Sequence, residues 1–239
     1  MTDIYQAYKK QVVGLPEMTE RLQRAGSLRL FPALHELQQE EFAKLSHRLL
    51  SMKQDHVGSV LSVASSVSGE GASFVSYNLA NFLGLVFDQK VIWIDGNFRS
   101  PQKKLMEQDG VTFADMLRRP ALVEDLPCKS AHVTLVPGGS DLRDVRANFA
   151  DRNYKDLIAG LASRYDFAII DLPPVLDSQD AALMAQKTDG LLLVIAFRLL
   201  KRERIASGVN SLQEVGVKLL GAIMNRREFD LPKLLHKWI

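Results

Sequence analysis

Short apolar runs alternate with amphipathic stretches along most of this chain. The runs at 59–64, 90–95, 132–136, 167–171, 190–197 and 219–224 read as strands. Several carry Val and Ile at successive positions, as strands buried on both faces of a parallel sheet do. Between them, helical periodicity falls near 73–87, 112–118, 150–163, 179–187 and 201–215. Upstream, Leu34, Leu37, Phe42, Leu45 and Leu49 recur at helical spacing and predict a helix over 34–52, while Pro32 discourages helix through Phe31. Strand–helix alternation of this kind predicts an α/β fold: a doubly wound, mainly parallel sheet flanked by helices. Such sheets bind ligands at the carboxyl ends of their strands. Residues 1–34 read as an N-terminal arm with a short helical piece at 4–13, and 35–239 as one domain.

Composition narrows the class without naming a function. The 239 residues suffice for one large α/β domain, and 46% apolar with 24% charged residues is ordinary for a soluble globule. A formal net charge of +2 implies no strong field for nucleic acid. The single cysteine, Cys128, excludes an internal disulfide and fits a reducing compartment. The first ten residues have no signal core, and the longest apolar run is far shorter than the roughly 20 residues that span a bilayer. The expected location is the cytoplasm, with membrane contact only peripheral or through a partner.

Chemistry first shows after the strand at 59–64. A phosphate-binding loop reads G-x-x-x-x-G-K-[ST] between a strand and a helix. Here Ser66 stands for the first glycine, Gly71 is the second, Ser73 supplies the hydroxyl and Ala72 occupies the lysine position. Gly69 and Gly71 permit positive φ, so the backbone amides of 69–73 can form an anion nest at a helix start, with Ser68, Gly69, Glu70, Gly71, Ser73 and Phe74 as the candidate nucleotide-binding residues. An empty glycine-rich turn is the plain alternative for these residues taken alone. Two further strands end in acids, Asp95 and Asp171. An acid at a strand end beside such a loop holds Mg²⁺, with Ser73 as a third oxygen donor. One acid alone could simply cap the next segment; two make coincidence harder to sustain.

Together these residues resemble the bacterial tyrosine kinases of exopolysaccharide and capsule assembly, a MinD/ParA-like branch of the P-loop ATPases. The loop at 66–80 follows that family's S-x-x-x-G-E-G-K-[ST]-x-x-x-x-N-L-A, with Ala72 for lysine. Asp95-Gly-Asn97-Phe-Arg99-Ser-Pro101 follows its D-x-D-x-R-x-P, and 165–174 follows its Y-D-[FY]-h-I-I-D-x-P-P. Asn225-Arg226 matches a late N-[KR] that the resemblance places on adenine. The likeness implies ATP or ADP and Mg²⁺ as ligands, and a membrane chain-length or co-polymerase protein of polysaccharide export as partner. Self-association also follows from it, and nucleic acid does not.

The departures set the expected function. Ala72 removes the phosphate-binding lysine, Val67 stands where MinD/ParA relatives place their signature lysine, and Asn97 replaces the second carboxylate of D-x-D. A helix motif for ring assembly, E-x-x-R-x-x-R, aligns with Glu40, Ala43 and Ser46, without its arginines; no tyrosine follows Tyr165. Asp95 and Asp171 remain the candidate catalytic carboxylates. The expectation is a catalytically impaired relative that regulates or scaffolds polysaccharide biosynthesis and export, with nucleotide binding weakened or lost. An active ATPase or tyrosine autokinase using a displaced basic residue, such as Arg99, Lys103 or Lys104, is the alternative. A positioning ATPase of the MinD/ParA type is a further alternative, disfavoured by Pro173-Pro174 and the missing signature lysine. The tail at 231–239 is amphipathic, and the histidines show no metal-ligand spacing.

Overall fold

The structure, a computed structural model, describes residue 22 and residues 30–53, 58–107, 109–130, 132–139 and 152–226. The expected helical piece at 4–13 and the amphipathic tail lie outside the described residues.

Six strands form one sheet: β1 (Ser59–Ser65), β2 (Lys90–Asp95), β3 (His132–Val136), β4 (Phe167–Asp171), β5 (Gly190–Ala196) and β6 (Leu219–Asn225). Their order is β3-β2-β4-β1-β5-β6, and every pairing is parallel. The helices are α1 (Glu36–Met52), α2 (Ala72–Asn81), α3 (Lys103–Met106), α4 (Phe113–Arg118), α5 (Arg152–Arg164), α6 (Gln179–Ala185) and α7 (Arg202–Glu214). A π-helical turn, Phe82–Val86, extends α2, and a 3₁₀ turn, Pro120–Asp125, follows α4.

Strand periodicity divides the core in two. Val60, Ile92, Ile94, Ala168 and Ile170 face a layer containing Phe113, Tyr154, Leu157 and Met184 from α4, α5 and α6. Their neighbours Leu61, Val63, Val91, Trp93 and Ile169 face Phe42, Val75, Tyr77 and Phe82 from α1, α2 and its extension. Successive side chains thus go to opposite covered faces, which explains why the strands read as continuous apolar runs.

Each expected strand is present, with β1 and β6 one residue longer and β5 one residue shorter than its hydrophobic run. Ala43 and Ser46, which stand where the assembly motif has its arginines, are completely buried on the inward side of α1, against the second core layer. Leu30, Phe31 and Leu34, just ahead of α1, pack against the same layer.

Candidate functional site

The carboxyl ends of β1, β4, β2 and β6 converge on the loop between β1 and α2. Gly69 (φ +86°) and Gly71 (φ +95°) both take left-handed backbone, and Gly71 caps α2. A Cβ on Gly71 would lie 2.3 Å from Asn225 Nδ2, so only glycine fits beneath the end of β6. Asn225 Nδ2 donates to the Glu70 carbonyl at 2.8 Å, which ties the end of β6 to the loop.

The Glu70 side chain has a role that the nest, built from backbone amides, does not assign to it. Its carboxylate is fully buried and turned inward. Oε2 accepts from the amides of Ser66 (2.6 Å) and Val67 (3.0 Å), and Oε1 accepts from Ala196 N at the end of β5 (3.1 Å). The side chain braces the loop; only backbone from Glu70 is left to face a ligand. Phe74 is likewise engaged elsewhere, its ring packing against Phe31 at 5.7 Å and Phe42 at 6.3 Å between centroids. Arg226 is exposed in left-handed backbone, with its amide on Asn225 Oδ1. Ser68 and Gly69 are exposed at the loop tip, and Ser73 is half-buried.

Asp95 and Asp171 are paired in register across β2 and β4, and both are fully buried. Asp95 accepts from the amides of Asn97 (3.1 Å) and Gln102 (2.7 Å), the latter at the start of α3. Burial nevertheless lifts its pKa to about 6, against the lowering effect of the two amides. Asp171 is pushed well above the ordinary carboxylate range, first by burial and then by the charge of Asp95; the nearby Ser73 and Ser76 hydroxyls oppose that rise. Neither carboxylate oxygen of Asp171 has a hydrogen-bond partner, and Asn97 Oδ1, two residues after Asp95, is also buried and unpartnered. Orphaned acceptors of this kind call for a missing donor or cation. Mg²⁺ fits this donor set, since it takes one or two carboxylates and completes its shell with water and phosphate oxygens. Ser73, Asp95 and Asp171 would hold it. No cluster of three or more His, Cys, Asp or Glu suited to a metal occurs among the described residues, as a site of this type requires none.

Ala72, at the first position of α2, is nearly buried in the apolar layer. The basic candidates for replacing the lysine, Arg99, Lys103 and Lys104, are exposed. The segment after β4 follows the loop closely: Val175 N donates to Ser65 O and Leu176 N to Ser66 O, past a Pro173-Pro174 pair that has no amide protons to offer. A cleft of about 360 Å³ lies at the opposite, amino-terminal edge of the sheet, between Lys53, Lys90 and Arg164. Its charge is answered internally, because Lys53 Nζ meets Asp166 Oδ1 at 2.7 Å and Lys90 N donates to Oδ2.

Comparison with known proteins agrees with the motifs. No family model matches the chain. It is 27% identical over 197 residues to the tyrosine-protein kinase YwqD of Bacillus subtilis, covering 80% of this chain and 78% of that one. It is 29% identical over 182 residues to the tyrosine-protein kinase CpsD of Streptococcus pneumoniae, covering 73% and 78%. Among solved structures, the chimeric protein CapA2B2 superposes with a TM-score of 0.69 at 22% identity, covering 80% and 85%. The septum site-determining protein MinD of Pyrococcus horikoshii, complexed with Mg-ADP, gives 0.58 at 26% identity over 75% and 76%. No helix among the described residues is long and apolar enough to cross a membrane. The order of the sheet, the braced loop, the paired acids and these relatives agree: the chain is similar to the bacterial tyrosine kinases of the CpsD, YwqD and CapB type, and it has the MinD/ParA-like P-loop fold.

Proposed function

We propose that this chain is a catalytically impaired member of its family, a nucleotide-responsive regulatory or scaffolding component of exopolysaccharide or capsule biosynthesis and export. It acts in the cytoplasm, at the inner face of the membrane, through a chain-length or co-polymerase partner. The observation that carries the reading is the imbalance of the site. Two buried carboxylates and a serine hydroxyl are retained for a cation, whereas position 72 offers a buried methyl group to the phosphates. A lysine on a phosphate makes a charge-assisted bond worth about 1.5–3 kcal/mol, and more where transition-state charge develops. Without it, and with Asn97 for a carboxylate, phosphoryl transfer loses charge neutralisation and a base, while the loop amides and the cation site still favour Mg·ADP or Mg·ATP. The pathway and the partner follow from the family resemblance.

Calorimetric titration with ADP and ATP, with and without Mg²⁺, tests the reading on the unmodified chain and on Ala72→Lys. The account expects weak, Mg²⁺-dependent binding that Ala72→Lys strengthens. Binding absent in both would overturn it. The alternative, an active autokinase using a displaced cation, is opposed by the exposure of Arg99, Lys103 and Lys104 and by the backbone amides that already occupy Asp95.

A further inference from the structure

Trp93 sits completely buried at the centre of β2, and its contacts run in two directions. On one side its indole Nε1 donates to Ser76 Oγ at 3.0 Å. Ser76 donates its single proton to the Ser73 carbonyl at 3.1 Å, and its alternative acceptor is the unpartnered Asp171 carboxylate nearby. On the other side the Trp93 ring meets Tyr77 edge-on, with centroids 6.0 Å apart at 89°. Tyr77 meets Phe31 at 5.5 Å, and Phe31 meets Phe74, the neighbour of Ser73, at 5.7 Å. A phenylalanine would fill most of the same space in β2. What the indole adds is a donor that fixes which way Ser76 can turn.

We propose that Trp93 is a positioning residue for the cation site at Asp171, and that Tyr77 and Phe31 couple that site to the segment ahead of α1. The inference rests on the reading of Asp171 as a cation ligand. Because coupling between two sites is reciprocal, whatever seats Phe31 favours the cation-bound site, and a bound cation favours a seated Phe31. The residues before α1 would then sense whether the pocket is filled, a use for the site that needs no phosphoryl transfer.

The test uses the full chain carrying Trp238→Phe, which leaves Trp93 as the sole indole, because the sequence has two tryptophans. ADP is titrated with Mg²⁺, and Trp93 emission and heat of binding are followed in parallel. The expected result is a saturable change in emission with the same midpoint as the heat, with both signals lost in Asp171→Asn. On the unmodified background, where heat is the readout, Trp93→Phe keeps a ring but loses the donor, and Phe31→Leu keeps apolar volume but loses the aromatic face. Each should weaken Mg·ADP by about 5-fold or more, a typical lower bound for coupled sites, and leave ADP affinity in EDTA within about 2-fold. A purely structural role would move both affinities together or neither, and that result overturns the proposal. If Trp93→Phe fails to fold, the emission titration and Phe31→Leu still decide. Heat of binding with a silent Trp93 would overturn the coupling and leave nucleotide binding standing. Silence in both signals would overturn the coupling and the nucleotide reading alike.

Discussion

At the scale of single residues, position 72 and the pair Asp95–Asp171 make opposite demands on a nucleotide. Ala72→Lys restores one charge-assisted phosphate contact and should tighten Mg·ATP by about 1.5–3 kcal/mol, a factor of about 10 to 150, by calorimetry. The acids make a prediction about pH. Their native pKa values are raised above the unfolded ones. The folded state therefore holds protons that the unfolded state has released, and stability falls as pH rises from about 4 through about 6. For Asp95 the change from 3.8 to about 6 corresponds to about 3 kcal/mol. Asp95→Asn, which removes the carboxylate that ionises near pH 6, should raise Tm at pH 8 by about 2–4 °C for each kcal/mol relieved and do much less at pH 5. Thermal melts at the two pH values read this directly; an equal shift at both would contradict the assignment. These two acids were legible in the sequence, since each closes an apolar run. The inward turn of Glu70 was not, because one of its partners, Ala196 N, is 126 residues away.

At the scale of elements, the loop is held by its neighbours more than by its own residues. The Glu70 carboxylate joins its first amides to the end of β5, and Asn225 joins its last turn to β6. Glu70→Gln should cost about 1.5–3 kcal/mol, the range for hydrogen bonds to a charged group, measured by denaturant unfolding. A neutral result would mean that the loop stands without its brace. The six strands could be located to within a residue because burial on both faces leaves short apolar runs, and their length and Val/Ile content separate them from buried helix. The short α3 and the turn Pro120–Asp125 left no such trace. Four residues of α3 begin where Asp95 accepts the Gln102 amide, a tertiary contact that helical periodicity does not report. The long helix α1 was visible, and so was most of the face it buries, through Phe42, Leu45 and Leu49; Leu37 is exposed instead, and the small Ala43 and Ser46, which carry little apolar signal, also face the core.

At the scale of the whole molecule, a ligand bridging α2, β2 and β4 should stabilise the entire sheet. Binding that is confined to the native state adds about 2.7 kcal/mol at a ligand concentration of 100 Kd, so saturating Mg·ADP should raise Tm by several degrees, and the same ADP concentration in EDTA should raise it by less. The central claim is that the fold has kept the cradle and lost the transfer. Phosphate release from saturating Mg·ATP, compared between the unmodified chain and Ala72→Lys in one assay, tests it most directly. The account predicts no release above background from the unmodified chain and a measurable rate only where lysine is restored. Steady turnover by the unmodified chain, at a rate matching Ala72→Lys, would contradict it.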